Sequence, residues 1–225
     1  MSRLPLLIAV LAACALGLSA CGGSDKEAAA TPSATTPPSP AEAAGCEKVP
    51  APKPKTGAKL PKPSEKLAAG KTYVAQVSTS CGDFEITLDS KRAPKTGGSF
   101  KYLADKGFFD GLTFHRIVPG FVIQGGDPTG NGTGGPGYSV VEKPPGNLAY
   151  TKGVVAMAKT ANEKAGTSGS QFFVVNAEDA QLPPEYALLG KVTKGLDVVD
   201  KISAVPTTSD DQPADPVVIK SIKVK

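Results

Sequence analysis

The C-terminal two thirds of the chain is cut into short apolar runs, LTFHRIV, GFVIQG, GVVAMA, SQFFVVN and YALLGKV, each bounded by glycine, proline or polar residues. Runs this short fit strands and fall below the usual length of a helix. Their backbone groups must then find partners between strands, so the chain has to build sheet. Upstream, TYVAQVSTS alternates apolar and polar residues, Cys81-Gly82-Asp83 turns the chain, and FEITLD returns, which is a hairpin. Two segments have helical spacing: APKTGGSFKYLADKG, with Pro94 in its first turn and Phe100, Leu103 and Ala104 on one face, and TKGLDVVDKIS, with Leu196, Val199 and Ile202 on one side. Gly97 and Gly98 each cost the first of these about 1 kcal/mol relative to alanine, so its first turn is expected to fray. VVIKSIKVK closes the chain as a strand. Many short strands with two helices predict a mainly all-β barrel or sandwich.

Composition sets the boundaries. Nine of the 21 prolines fall within residues 30–71. Residues 21–45 are Ala, Thr, Ser and Pro with few large apolar side chains and read as a flexible linker. Residues 46–71 form a Lys/Pro-rich lead with seven lysines against Glu47 and Glu65. The globular domain is expected over 72–225, where 16 basic and 16 acidic side chains balance. A domain without net charge, and without a basic patch interleaved with aromatics, argues against nucleic-acid binding. The lysines of the lead read as a solubilising tether that is also compatible with anionic lipid.

The N-terminus resembles a secretory signal, with Arg3 before an apolar run of 17 residues and small residues leading into Cys21. Such a run is short for spanning a bilayer, which takes about 20 residues. Leu18-Ser19-Ala20-Cys21 looks like a bacterial lipobox, which implies cleavage after a signal peptide of residues 1–20 and lipidation of Cys21. An uncleaved anchor is the alternative. A lipid-anchored chain outside the cytoplasm lies where disulfides persist. The two other thiols of the mature chain, Cys46 and Cys81, then suggest a bridge between lead and hairpin, against the alternative of two free thiols.

One stretch concentrates the chemistry. FHRIVPGFVIQGGD carries the only histidine, His115, beside Arg116 in an apolar run. An arginine there costs free energy unless something uses it. No nucleophile stands out as a partner for His115, and one histidine gives no zinc set. Gly130-Asn-Gly132-Thr-Gly-Gly135 matches a dinucleotide fingerprint, but Pro136-Gly137 and a strand-like YSVVE follow where a helix is required, so it reads as a turn-rich surface loop. Residues 166–170, GTSGS, fail the nucleophile-elbow pattern at the last position.

The same stretch, extended from DGLTFHR to GNGTGGPG, resembles the signature of the cyclophilins, the cyclosporin-binding peptidyl-prolyl cis–trans isomerases. The resemblance continues in order through GVVAMA, SQFF and LLGKV and covers about residues 72–225. It implies an eight-stranded antiparallel β-barrel capped by two α-helices, with the site on its outer face. The implied activity is isomerisation of proline-containing segments without cofactor or metal; the chain is expected to be a monomer, and the lipid anchor points to exported proteins as its clients. By resemblance Arg116 meets the prolyl nitrogen and Gln124 holds the substrate carbonyl, as the catalytic pair. Phe121, Val122, Phe173 and Leu182 would receive the proline ring, Ala158 and Gln171 would line the groove, and His115 would support from beside it.

The chain also departs from the family pattern. Gln181 stands where many members carry a tryptophan that contacts cyclosporin, which argues against tight drug binding. Tyr186, counted with the substrate-binding residues, stands in for a common histidine, and Lys159 for an asparagine. The loop TANEKAGTSG is longer than in the short forms. A low-turnover chaperone or scaffold of the same fold is the alternative function.

Overall fold

The structure, a computed structural model, describes residues 37–56 and 59–225; the expected signal peptide, Cys21 and most of the 21–45 linker lie outside the described residues. Strands β1 (Val74–Thr79) and β2 (Gly82–Leu88) form the expected hairpin, in register from Val74↔Thr87 to Thr79↔Gly82. Helix α2 (Pro94–Asp105) follows α1 (Pro40–Ala43), and the remaining strands are β3 (Leu112–Thr113), β4 (Arg116–Val118), β5 (Val122–Gly125), β6 (Val140–Val141), β7 (Val154–Met157), β8 (Thr167–Ser168), β9 (Phe172–Val175), β10 (Leu188–Lys194) and β11 (Val218–Val224), with α3 (Leu196–Ser203) before the last. The main sheet is antiparallel with nine strands in the order β3-β11-β1-β2-β10-β7-β9-β5-β4, and β6 pairs with β8 in a small second sheet.

The mainly β fold is as expected, but the barrel is partial. Its two edge strands, β3 and β4, are successive pieces of one run broken at Phe114 and His115. Covalent continuity, not a hydrogen-bonded ladder, joins the edges of the curled sheet. Counting that run as one strand recovers the expected eight.

Alternation decides what faces inward. β1 buries Ala75, Val77 and Thr79 and leaves the residues between them half-buried. β7 and β9 are buried throughout, because one face lines the core and the other lies under a second apolar cluster. Inside, Phe100, Phe109, Phe114 and Phe172 form an aromatic cluster, with Phe100 and Phe172 edge-to-face at 5.6 Å between ring centroids. From α3, Val198, Val199 and Ile202 pack on the core cluster.

Two expectations fail at the N-terminal side. The compact unit begins at Pro37, not near residue 72, so residues 37–45 are not flexible linker. Ser39 and Glu42 form a reciprocal capping box around α1, Ala41 is fully buried, and its amide donates to Asp215 at 2.9 Å. From there the lead runs as a strap over the domain. Cys46 and Cys81 are joined by a disulfide, and the amides of Glu47, Lys55, Leu60 and Leu67 donate to the carbonyls of Ser80, Pro128, Pro136 and Pro94.

The first turn of α2 does not fray either, because its glycines are docking sites for the strap. A Cβ on Gly97 would come within 2.4 Å of Leu67 Cδ1, and one on Gly98 within 2.4 Å of the Glu65 carbonyl oxygen. The lost helix propensity is offset by close approach that buries Leu67, worth about 1.5–3 kcal/mol. Propensity alone would make Gly98→Ala stabilising by about 1 kcal/mol. We expect the opposite, a loss of about 1–3 kcal/mol from the backbone clash, read as a lowered denaturant midpoint; a raised midpoint would show that the strap is not seated on α2.

Candidate active site

The register of four strands sorts the candidate residues. Arg116 pairs with Gln124 across β4 and β5, Gln124 with Phe173 across β5 and β9, and Phe173 with Ala156 across β9 and β7. Directly opposed residues share a face of the sheet. One step along, Ile117, Ile123, Val174 and Val155 form the next row, all with no exposed surface and all in the core. The row that holds Arg116 therefore faces outward, and so does the row of Val118, Val122 and Val175 two residues on.

On this outer face the apolar residues make a cluster separate from the core. Val122 and Phe173 are buried in its floor, and Phe121, Ala158, Leu182 and Tyr186 pack against it half-buried. Phe121 follows the Pro119-Gly120 turn, and its carbonyl accepts the amides of Asn176 and Ala177. Tyr186 is set by a residue that carries no signal in the sequence. Tyr150, 1% exposed, donates its hydroxyl to the Tyr186 carbonyl at 2.6 Å and accepts the Tyr186 amide at 3.0 Å. Burial pushes the Tyr150 phenol up to about 12, so this clamp stays protonated. The Tyr186 ring stands edge-on to Phe173, with centroids 5.5 Å apart. Lys159 Nζ lies 5.5 Å from the Tyr186 ring centroid and pairs with Glu185 at 3.3 Å. Gln181, in a left-handed conformation with φ 51, is exposed.

The polar groups lie along one edge of this cluster, with Gln124 directly opposite Phe173. Gln124 donates to Gln171 Oε1 at 3.0 Å, and Gln171 donates to the carbonyls of Gly132 and Gly134, both at 2.9 Å. The loop that supplies these carbonyls is the false dinucleotide fingerprint. It wraps the carboxylate of Asp127, which is 1% exposed and accepts from Thr129, Asn131 and Gly132. Burial raises the Asp127 pKa, but the hydrogen bonds from Thr129, Gly132 and Gly134 overcome it and hold the carboxyl below its ordinary value.

Arg116 carries a partner that the sequence does not announce. Its guanidinium pairs with Asp211 Oδ2 at 3.1 Å, both side chains being about two-fifths exposed. Asp211 sits in the left-handed region with φ 60, and its carbonyl accepts the Ile117 amide at 2.7 Å. The loop before β11 is thus stitched to β4 through both backbone and side chain.

His115 stands apart from the apolar cluster. It lines a different cavity, ≈ 260 Å³, with strap residues 51–54, Phe114 and Asp127. The break between β3 and β4 lets Phe114 turn into the core and His115 toward the strap, while Arg116 stays on the outer face. Neither ring nitrogen has a hydrogen-bond partner among the described residues. Burial pulls the His115 pKa below its ordinary value against the upward pull of Asp127. The folded state therefore holds a neutral imidazole that the unfolded chain protonates as pH falls through about 6.5. Stability should fall between pH 7 and 5, and His115→Gln should flatten that slope in thermal melts; an unchanged slope would show that the imidazole is not held neutral. Asp127 acts in a lower window, losing its contribution only as pH drops through its depressed pKa.

Known proteins match this architecture. The family model described as cyclophilin type peptidyl-prolyl cis-trans isomerase/CLD matches residues 74–224. A probable peptidyl-prolyl cis-trans isomerase A of Mycobacterium bovis is 39% identical over 171 residues, covering 68% of this chain and 92% of that protein. Peptidyl-prolyl cis-trans isomerase B of Streptomyces anulatus is 41% identical over 171 residues, covering 67% and 95%. A crystal structure of a Cryptosporidium parvum cyclophilin type peptidyl-prolyl cis-trans isomerase superposes with TM-score 0.64 at 32% identity, covering 69% of this chain and 98% of that one. A second structure of that protein, in the presence of the dipeptide Ala-Pro, gives TM-score 0.63 at 31% identity, covering 68% and 98%. With Arg116 and Gln124 in register beside an outer-face apolar cluster on a curled antiparallel sheet, the chain belongs to the cyclophilin-type peptidyl-prolyl cis–trans isomerase family and is an enzyme of that activity.

Proposed function

We propose that the outer-face hollow takes the proline ring of exported polypeptides and that Arg116 speeds rotation about the preceding peptide bond. The observation that carries this is the pairing of Arg116 with Gln124 at the edge of an apolar cluster containing Phe121, Val122, Phe173, Leu182 and Tyr186. The C–N bond resists rotation with a barrier of ~18–20 kcal/mol because of its double-bond character. As it twists, the prolyl nitrogen pyramidalises and its lone pair leaves resonance with the carbonyl. A donor at that nitrogen binds the twisted state more strongly than either planar one.

Guanidinium suits the task because it stays charged and offers several donors in one plane. Gln124, oriented through Gln171, holds the substrate carbonyl while the ring is gripped below. No bond is made or broken, so neutral His115 needs no role as acid or base. Asp211 is a positioning residue that holds the guanidinium at the edge of the hollow. The resemblance of the N-terminus to a lipoprotein signal supports a lipid anchor at Cys21 and clients outside the cytoplasm.

A prolyl-peptide exchange assay tests the reading. The full chain should accelerate exchange, and Arg116→Ala should lower kcat/KM by about a hundredfold, near 2.7 kcal/mol; equal activity in the variant would remove Arg116 from the mechanism. Asp211→Ala should cost up to about fivefold, the worth of one exposed pair, while Asp211→Asn, which can still accept from the guanidinium, should keep most of the activity. Identical behaviour of the two variants would make Asp211 a loop residue only. Radioactive palmitate should label the wild type and not Cys21→Ala; a mature mass that retains residues 1–20 would contradict the anchor.

A further inference from the structure

A second hollow, ≈ 770 Å³, is lined by Gln124 and Gln171 and meets the apolar cluster at Ala158. One wall is not built by the barrel. Lys55 and Lys59 of the strap line the hollow together with Lys159 and Glu163. The strap here lies outside the residues matched by the family model, which begin at 74.

Lys59 is fixed at its base, and among the described residues its head is unpaired. The next residue, Leu60, donates its amide to the Pro136 carbonyl at 2.8 Å and packs half-buried on the core. Gly137, at φ +86, lies beneath the lysine stem. A Cβ there would come within 3.1 Å of Lys59 Cα, Cβ and Cγ, so glycine lets the strap lie this close. The other charges around the hollow are engaged. Lys55 Nζ donates to the carbonyls of Phe108 and Asp110, Lys159 pairs with Glu185 at 3.3 Å with its side chain 4% exposed, and Glu163 accepts from Thr160. Among the described residues Lys59 Nζ has no hydrogen-bond or ion-pair partner, and with Glu185 counted against Lys159 the three ammonium groups around the hollow meet two carboxylates, which leaves one positive charge uncompensated.

We propose that the lysine-rich strap completes the substrate groove and that Lys59 selects an acidic residue shortly before the proline. This rests on the placement of the proline ring and the carbonyl argued above. With the ring on Phe173 and the preceding carbonyl at Gln124, the chain before the proline runs past Gln171 and Ala158 into the second hollow. An extended segment rises about 3.3 Å per residue, which brings the second and third residues before the proline to the strap. A carboxylate there meets uncompensated positive charge, and a lysine is repelled.

The test compares kcat/KM for peptides that differ only in carrying Glu, Gln or Lys at the second or third residue before proline. The full wild-type chain should prefer Glu over Lys by about fivefold at low ionic strength, and the preference should shrink in about 0.5 M salt. Lys59→Glu should reverse the order and Lys59→Gln should erase it, with melting midpoints confirming intact folds. Equal rates for Glu and Lys peptides in the wild type, or a Glu preference that survives Lys59→Glu, would overturn the proposal. Binding is read separately from turnover by titrating the Glu peptide into Arg116→Ala and following backbone amide shifts. Shifts at Leu60, Gly137 and Tyr138 are expected, and their absence would also overturn it. Loss of wild-type acceleration on every peptide would instead strike at the reading of the prolyl site.

Discussion

The register between β4, β5, β9 and β7 is the constraint on which the molecule depends. It puts Ile117, Ile123, Val174 and Val155 in one inward row and Arg116, Gln124, Phe173 and Ala156 in the adjacent outward row. Because side chains alternate with period 2, a slip of one residue would send the arginine into the core and expose the isoleucines. Both outcomes are expensive: an unpaired buried charge costs several kcal/mol, and each lost isoleucine burial about 1.5–3 kcal/mol. The packing that folds the sheet is thus the packing that aims the arginine outward. Stability and site geometry are one requirement at this place in the chain.

Around that register the remaining parts act as supports. Tyr150 holds the backbone of Tyr186, Gln171 links Gln124 to the glycine loop, and the buried Asp127 carboxylate gives that loop its shape. Asp211 pairs with the guanidinium. These contacts limit the side-chain freedom that would otherwise be lost when substrate binds. The strap adds a second layer, fastened at the Cys81 disulfide, at Pro136 and at α2.

Much of this was legible in the sequence, and the reasons differ by element. The short strands were, because glycine-bounded apolar runs have few alternatives. The apolar floor at Phe121, Val122 and Phe173 was visible only through resemblance, since an isolated phenylalanine reads equally as core. His115 attracted attention by rarity, yet it faces the strap-lined cavity and not the hollow. Asp211 carried no signal, because its place depends on a left-handed residue in a loop far along the chain. The helix α1 did carry one: Ser39-Pro40-Ala41-Glu42 spells a capping box, hidden by the Ala/Pro composition around it. Gly97 and Gly98 were visible as helix weakeners, but their purpose needed the strap above them.

The proposed role of the Arg116 fork is to grip the twisted amide and not the planar one. Exchange spectroscopy at saturating peptide separates these, because it gives the on-enzyme cis–trans rate and Kd independently. For Arg116→Lys, which keeps the charge and loses the fork, we expect an on-enzyme rate lower by at least about tenfold with Kd within about threefold of wild type. An unchanged on-enzyme rate, or a loss carried wholly by Kd, would contradict it.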